Sequence, residues 1–287
     1  MAKNEVAKKE QGAVVDADFF KELTQDAETY KEALSQDDMS MPFLQLLQGL
    51  SPACVEGDAA YIEGARPGMV MDSTDKVLYD VKKNPLTIIP IAYKASYVEW
   101  IPRNNNGGGF VTEHSLADGQ TAITVRNDSN EDIIQPGSPV GTPGNDLKYT
   151  HTHFIMVKDD NDGTFRPAVI ALVVSQIKHS RKFNRMVNST KLPGTAKAAP
   201  RFFGVYELSS ILETKGDKKF HSWAFKRIGD VTTVEGGKEI YQAAKEFNDS
   251  LNLDEVKLDY GKASESENPD VGNITDLPTD EDSEIPF

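Results

Sequence analysis

Residues 150–174 read Thr150-His151-Thr152-His153-Phe154-Ile155-Met156-Val157-Lys158-Asp159-Asp160-Asn161-Asp162-Gly163-Thr164-Phe165-Arg166-Pro167-Ala168-Val169-Ile170-Ala171-Leu172-Val173-Val174. Two runs dense in β-branched and apolar residues, 152–157 and 167–174, flank a cluster of Asp, Asn and Gly. Such a cluster supplies the turn conformations that β-branched residues resist, so the stretch predicts a hairpin of two buried strands. The β grammar extends outward on both sides. Downstream, Ser175 stands where a helix cap belongs, and 176–189 reads as a helix. Its Ile177, Phe183, Met186 and Val187 face a core, and Lys178, Arg181, Lys182 and Arg185 face outward. A second hairpin is expected over 201–228, turning at Gly216-Asp217, and a last helix over 237–251. Upstream, 86–101 is β-branched and aromatic throughout, with Ile89, Ile91, Tyr93, Ala95 and Tyr97 on one face. Pro90 predicts an edge strand or a bend between two strands. Polar Gly-, Asn- and Pro-rich stretches at 103–109 and 135–146 read as loops.

Two helices are expected before the strands begin. Phe20, Leu23, Ala27, Tyr30 and Leu34 recur at spacings of three and four, which gives an amphipathic helix over 16–35. Ser40 and Pro42 suit the start of a shorter one carrying Phe43, Leu44, Leu46, Leu47 and Leu50. The expected class is therefore mostly β with peripheral helices (α+β), with a five-stranded barrel of the OB type as its core. The expected domains are an acidic segment 1–40, a core 41–262 and a disordered acidic tail 263–287.

The net charge of −14 is unevenly distributed. Residues 263–287 carry eight acids and no Lys or Arg, and residues 1–40 sum to −5, which leaves −1 for 41–262. Inside that span, 176–228 holds twelve basic residues against Glu207, Glu213 and Asp217, a local +9. This segregation suits an anion-binding body with a detachable acidic tail.

Several classes of function find no support. The N-terminal fifteen residues lack the apolar segment of a signal peptide, and the longest apolar run, 168–174, is far short of the ~20 residues that span a bilayer. Cys54 is the single cysteine, so neither an intrachain disulfide framework nor a cysteine-rich zinc site is available. His151 and His153 share a strand face, but no third metal ligand accompanies them. The aspartates at 159–162 do not fit a calcium loop, because Lys158 and Val169 would fall on its first and last ligand positions. Gly107-Gly108-Gly109 and Gly236-Gly237-Lys238 lack the spacing of a phosphate loop. No cofactor, metal or enzymatic activity is expected, and the chain reads as soluble and intracellular.

The sequence closes on Asp280-Glu281-Asp282-Ser283-Glu284-Ile285-Pro286-Phe287. This end resembles bacterial single-stranded DNA-binding proteins, whose acidic tails finish in Ile-Pro-Phe and dock on replication and repair proteins. Four further segments (41–52, 61–65, 97–100 and 175–184) resemble a family of tailed-phage single-stranded DNA-binding proteins. The resemblance implies a protein of the host cytoplasm that coats single strands in phage replication, recombination or repair. It would recruit replication, recombination or transcription proteins through Asp280, Glu281, Asp282, Glu284, Ile285, Pro286 and Phe287. Strand annealing, RNA polymerase regulation, or a nuclease using Glu63, Asp72, Glu99 and Lys94 are the alternatives.

Single-strand binding needs cations along the phosphates and flat rings on which unpaired bases stack. The cations expected to serve are Lys178, Arg181, Lys182, Arg185, Arg201, Lys218, Lys219 and Arg227. The expected rings are His221, Trp223 and Phe225, sharing a strand face with Arg227, and Phe202 and Tyr206 on the paired strand. Tyr93, Tyr97 and Trp100 are secondary candidates, in a region with fewer basic residues.

Overall fold

In the computed structural model the described residues are 41–102, 108–116, 119–128, 131–159, 162–251, 253, 256, 258 and 260. The helix expected over 16–35, the tail 263–287 and most of the loop 103–109 lie outside them. Strand makes up 43% of the described residues, and two α-helices accompany it.

Two long strands form the spine. These are β4 (Leu86–Ile101) and β8 (Asp146–Lys158), antiparallel along almost their full length. Each changes neighbours along its other edge. β4 pairs first with β10 (Gly204–Lys215), through Leu86, Thr87 and Ile88, and then with β5 (Gly109–Ser115). β8 pairs with β9 (Phe165–Val173) and, at Asp146, with β7 (Asp132–Ile134), which β6 (Thr124–Arg126) extends. β10 turns at Gly216-Asp217 into β11 (Lys218–Asp230), as expected. The hairpin of β8 and β9 and the long strand 86–101 also form as the sequence indicates. The eight strands curl into a half-barrel, an arrangement consistent with an OB-like barrel.

The expected helix over 40–50 is replaced by β1 (Leu44–Leu46). It pairs with β2 (Val70–Asp72), which in turn pairs with β3 (Leu78–Tyr79). The apolar residues of 43–47 are buried on every side, while Leu50 is exposed: Phe43, Leu44 with Leu46, and Leu47 each enter a different core cluster. A short run buried all round carries no period, so helix and strand look alike in it. The segment bridges an open seam. Phe43 pairs in parallel with Val169 of β9, while the Gln48 side chain exchanges two hydrogen bonds with the backbone of His221 in β11, at 2.8 and 3.0 Å. Gln176 does the same from the other flank, accepting from Trp223 N–H and donating to His221 C=O. Two carboxamides thus stand in for a neighbouring strand along the edge of β11, a position that would otherwise offer free backbone groups.

Both faces of the spine are buried at its first half. One face packs with β1 and with α1 (Ile177–Asn188); it carries Ile88, Ile155, Val157, Ile170, Leu172, Leu208, Tyr206 and Trp223. The other packs with α2 (Gly237–Ser250) and Tyr260; it carries Ile89, Ile91, Ala92, Val98, Phe154 and Met156. Pro90 corrects two expectations. β4 is central rather than an edge strand, and Pro90 sits at a bulge where Pro90 faces Ile155 but Ala92 faces Phe154. The extra residue reverses the phase of everything after it. Ile89 and Ile91 therefore face α2, while Tyr93, Ala95 and Tyr97 turn to the α1 face instead of continuing their row.

Candidate nucleic-acid interface

The phase reversal at Pro90 builds a second, polar half of the α1 face. The register aligns Tyr93 with His153, Ala95 with His151 and Tyr97 with Tyr149. Tyr97 and Tyr149 lie 5.4 Å apart between ring centroids; Tyr149 meets His151 edge-on at 5.0 Å, and Tyr93 meets it edge-on at 5.3 Å. Tyr93, Tyr97 and Tyr149 are half-buried, so part of each ring surface remains open to solvent.

Helix α1 flanks this row. It begins after a short 3-10 turn over Val174–Gln176, so Gln176 rather than Ser175 holds the N-cap, with no side-chain cap bond. Its inward Ser180, Phe183 and Val187 are buried, and Lys178, Arg181, Lys182 and Arg185 are exposed, as the helical spacing predicts. Lys178 is held by Glu213 at 2.8 Å. Arg181, Lys182 and Arg185 make no hydrogen bond or ion pair among the described residues. The charge of Arg181 acts on both Tyr93 and His151. Burial pushes the Tyr93 hydroxyl pKa up, with Tyr149 adding to it and the Arg201 and Arg181 charges opposing.

Beneath the tyrosines runs a buried polar chain. Ser180 Oγ lies 2.7 Å from His151 Nδ1 and 2.7 Å from His153 Nε2, and His153 Nδ1 lies 3.2 Å from Arg201 Nη2. Arg201 also donates to Asn184 Oδ1 at 2.7 Å and stands 5.7 Å from the Tyr93 ring centroid. Burial lowers the His151 pKa to about 4, helped by Arg181, and holds His153 well below its ordinary value. Burial likewise brings Arg201 down to about 10, with Tyr206 and Tyr93 partly opposing. Both imidazoles are therefore neutral near pH 7. They share a serine hydroxyl, and among the described residues no group of three or more His, Cys, Asp or Glu could hold a metal ion.

Several expected ring positions are core instead. Trp223 and Tyr206 are 1% and 0% exposed, so no base can reach their faces. His221 is buried, and Phe202 is buried against Tyr241 of α2. The physical reason is the pairing of Tyr206, Leu208 and Ser210 with Arg227, Phe225 and Trp223: the face read as a platform is the one β10 and β11 turn to the core. Arg201, Phe202 and Phe203 form a 3-10 turn rather than the start of β10, so their expected strand alternation does not hold. Phe225 is half-buried and stacks on Phe183 at 4.0 Å. It lines a shallow cleft with Lys178, Lys182, Met186 and Ile211 between α1 and the hairpin. Lys218 and Lys219 lie at the exposed hairpin tip, and Arg227 is exposed beside Asp230. The structure thus gathers the α1 cations, Arg201 and Phe225, and it promotes Tyr93 and Tyr97 over the rings first favoured. Tyr149 and His151 enter the site anew. Their signal was the alternation Tyr149-x-His151-x-His153, legible only once its partner strand is known.

The proposed nuclease residues are engaged apart from one another. Asp72 pairs with Arg166, Glu99 with His114, Thr142 and Asn145, and Lys94 with Glu113, while Glu63 is exposed.

Fold and site together define a mostly-β half-barrel whose α1 face bears a row of tyrosines flanked by a helix with exposed cations. No curated protein and no solved structure matches the chain. Residues 8–257 match the family described as Pam3 phage gp34-like protein, and the chain belongs to that family. Among the described residues, no helix is long and apolar enough to cross a membrane.

Proposed function

We propose that this protein binds single-stranded DNA without acting on it chemically, during phage replication or recombination in the host cytoplasm. The observation that carries the reading is the half-buried row Tyr93, Tyr97 and Tyr149 flanked by α1, whose exposed Arg181, Lys182 and Arg185 have no hydrogen-bond or ion-pair partner among the described residues. The Arg181 charge acts on Tyr93, and Lys182 lines the cleft toward the hairpin. Flat rings of this kind accept any base, and exposed cations alongside accept the phosphates between them. The half-barrel serves here as an OB-type binding surface. The acidic end, Asp280 to Phe287, would recruit replication, recombination or transcription proteins, with Ile285, Pro286 and Phe287 as its apolar contact.

Fluorescence titration with single strand and duplex tests this reading. Tight binding of the single strand, with Tyr97→Ala and Tyr149→Ala each losing about 1–3 kcal/mol of affinity, is the expected result. Equal affinity for duplex, or full single-strand affinity in both variants, would overturn it.

A further inference from the structure

The buried chain under the tyrosines has a fixed direction, which follows from counting protons. Arg201 can only donate, so His153 Nδ1 must accept from it. His153 is neutral, so its proton sits on Nε2 and is donated to Ser180 Oγ. The serine hydroxyl has one proton, is fully buried, and has the two imidazoles as its side-chain partners. Accepting from both imidazoles would leave that buried O–H without an acceptor and Nε2 without a donor, so the proton goes to His151 Nδ1, which leaves the His151 proton on Nε2. The Nε2–H is buried and has no hydrogen-bond partner among the described residues, although His151 is only 3% exposed.

A buried donor without an acceptor costs about 1–3 kcal/mol, so an orphan of this kind calls for a cause. Here the surroundings supply one. Nδ1 is held toward α1, so Nε2, on the opposite side of the ring, is directed away from it. The rings nearest His151 are Tyr93 and Tyr149, both nearly perpendicular to it. The donor is thus set among the rings of the row, while the phosphate-sized charges, Arg181, Lys182 and Arg185, stand outside on the helix. Cations on the rim suit the backbone, and a neutral N–H among rings suits the edge of a base.

We propose that His151 Nε2–H, covered in the free protein, donates to a carbonyl oxygen of a base that enters the tyrosine row as the half-buried Tyr93 and Tyr149 rings shift, so that the protein favours carbonyl-bearing bases over adenine. This rests on the single-strand reading and deepens it. Thymine, cytosine and guanine carry a carbonyl acceptor; adenine carries none. Arg201, His153 and Ser180 act only through His151, as positioning residues that fix its tautomer.

The test uses the full chain and strands of about 15 nucleotides. One is oligo(dT), one oligo(dA), and one a strand in which difluorotoluene, a thymine-shaped ring that accepts hydrogen bonds poorly, replaces thymine. Wild type should bind oligo(dT) about three- to tenfold more tightly than the difluorotoluene strand for each base read this way. His151→Phe keeps a ring and loses the donor, so its oligo(dT) and difluorotoluene affinities should be equal whatever their common level. Ser180→Ala should lower the ratio without changing affinity for the isostere. Nitrogen-15 NMR of the unsubstituted protein gives an independent readout: the His151 Nε2–H resonance should shift with oligo(dT) and stay put with the isostere. Equal wild-type affinity for thymine and isostere, or discrimination retained in His151→Phe, would overturn the proposal while leaving single-strand binding intact. If no strand binds, the single-strand reading falls and this one with it.

Discussion

Replacing Arg181, Lys182 and Arg185 together by Ala should weaken single-strand binding by an amount that the structure lets one calculate. The three side chains are exposed, and none makes an ion pair or hydrogen bond among the described residues, so each is free to neutralise a phosphate. Each phosphate contact contributes about −0.7 to the slope of log K against log salt for a single strand. Removing three should flatten the slope by about 2. If affinities converge near 1 M salt, the loss is roughly 100-fold at about 0.1 M and roughly tenfold at about 0.3 M. Lys178 is the internal control. It is exposed on the same helix, but Glu213 holds it at 2.8 Å, so Lys178→Ala should change the slope less than any one of the other three. Fluorescence anisotropy across a salt series measures both quantities. An unchanged slope in the triple variant, or a Lys178 effect equal to that of Arg181, would show that exposure and pairing on α1 do not govern binding.

Trp223→Ala should cost about 3–5 kcal/mol of stability, because the indole is a fully buried core ring; a thermal melt close to wild type would contradict its placement. Glu99 supplies a pH prediction. Burial raises the pKa of its carboxyl, but hydrogen bonds from Asn145, His114 and Thr142 lower it further, so the folded value lies below the ordinary 4.5. The stability it contributes is therefore fully present above the unfolded pKa and is lost as pH falls through the folded one. Glu99→Gln should cost about 1–3 kcal/mol near neutrality and almost nothing in strong acid; parallel stability curves for the two proteins would refute this. Deleting 263–287 removes eight acids tethered to the chain that carries the basic segment 176–228. Single-strand affinity should rise, most at low salt, where a tethered anion competes best with phosphate; equal affinities at low salt would end the competition idea.

Much of the fold was legible because it is local. The strand 86–101, the hairpins around 159–164 and 216–217 and the two helices follow from residue period and turn chemistry acting over a few positions. The outward α1 cations were legible for the same reason, since helical spacing alone separates Lys178, Arg181, Lys182 and Arg185 from Phe183 and Val187. The strand at 44–46 was read as helix because the run 43–47, buried on all sides, has no period to show.

What only the tertiary structure decided is which face each strand residue occupies and which charges are already spent. A single extra residue at Pro90 sends Tyr93 and Tyr97 to the side opposite Ile89, and only pairing with β8 reveals it, by setting Tyr149 and His151 beside them. The sequence by itself determined that aromatics and cations alternate along 201–228; it could not show that β10 and β11 turn Tyr206 and Trp223 inward, since alternation names two faces without saying which is wet. Nor could spacing tell Lys178 from Arg181, because the carboxylate that holds Lys178 lies 35 residues away in the chain and reaches it only through the packing of α1 on the hairpin.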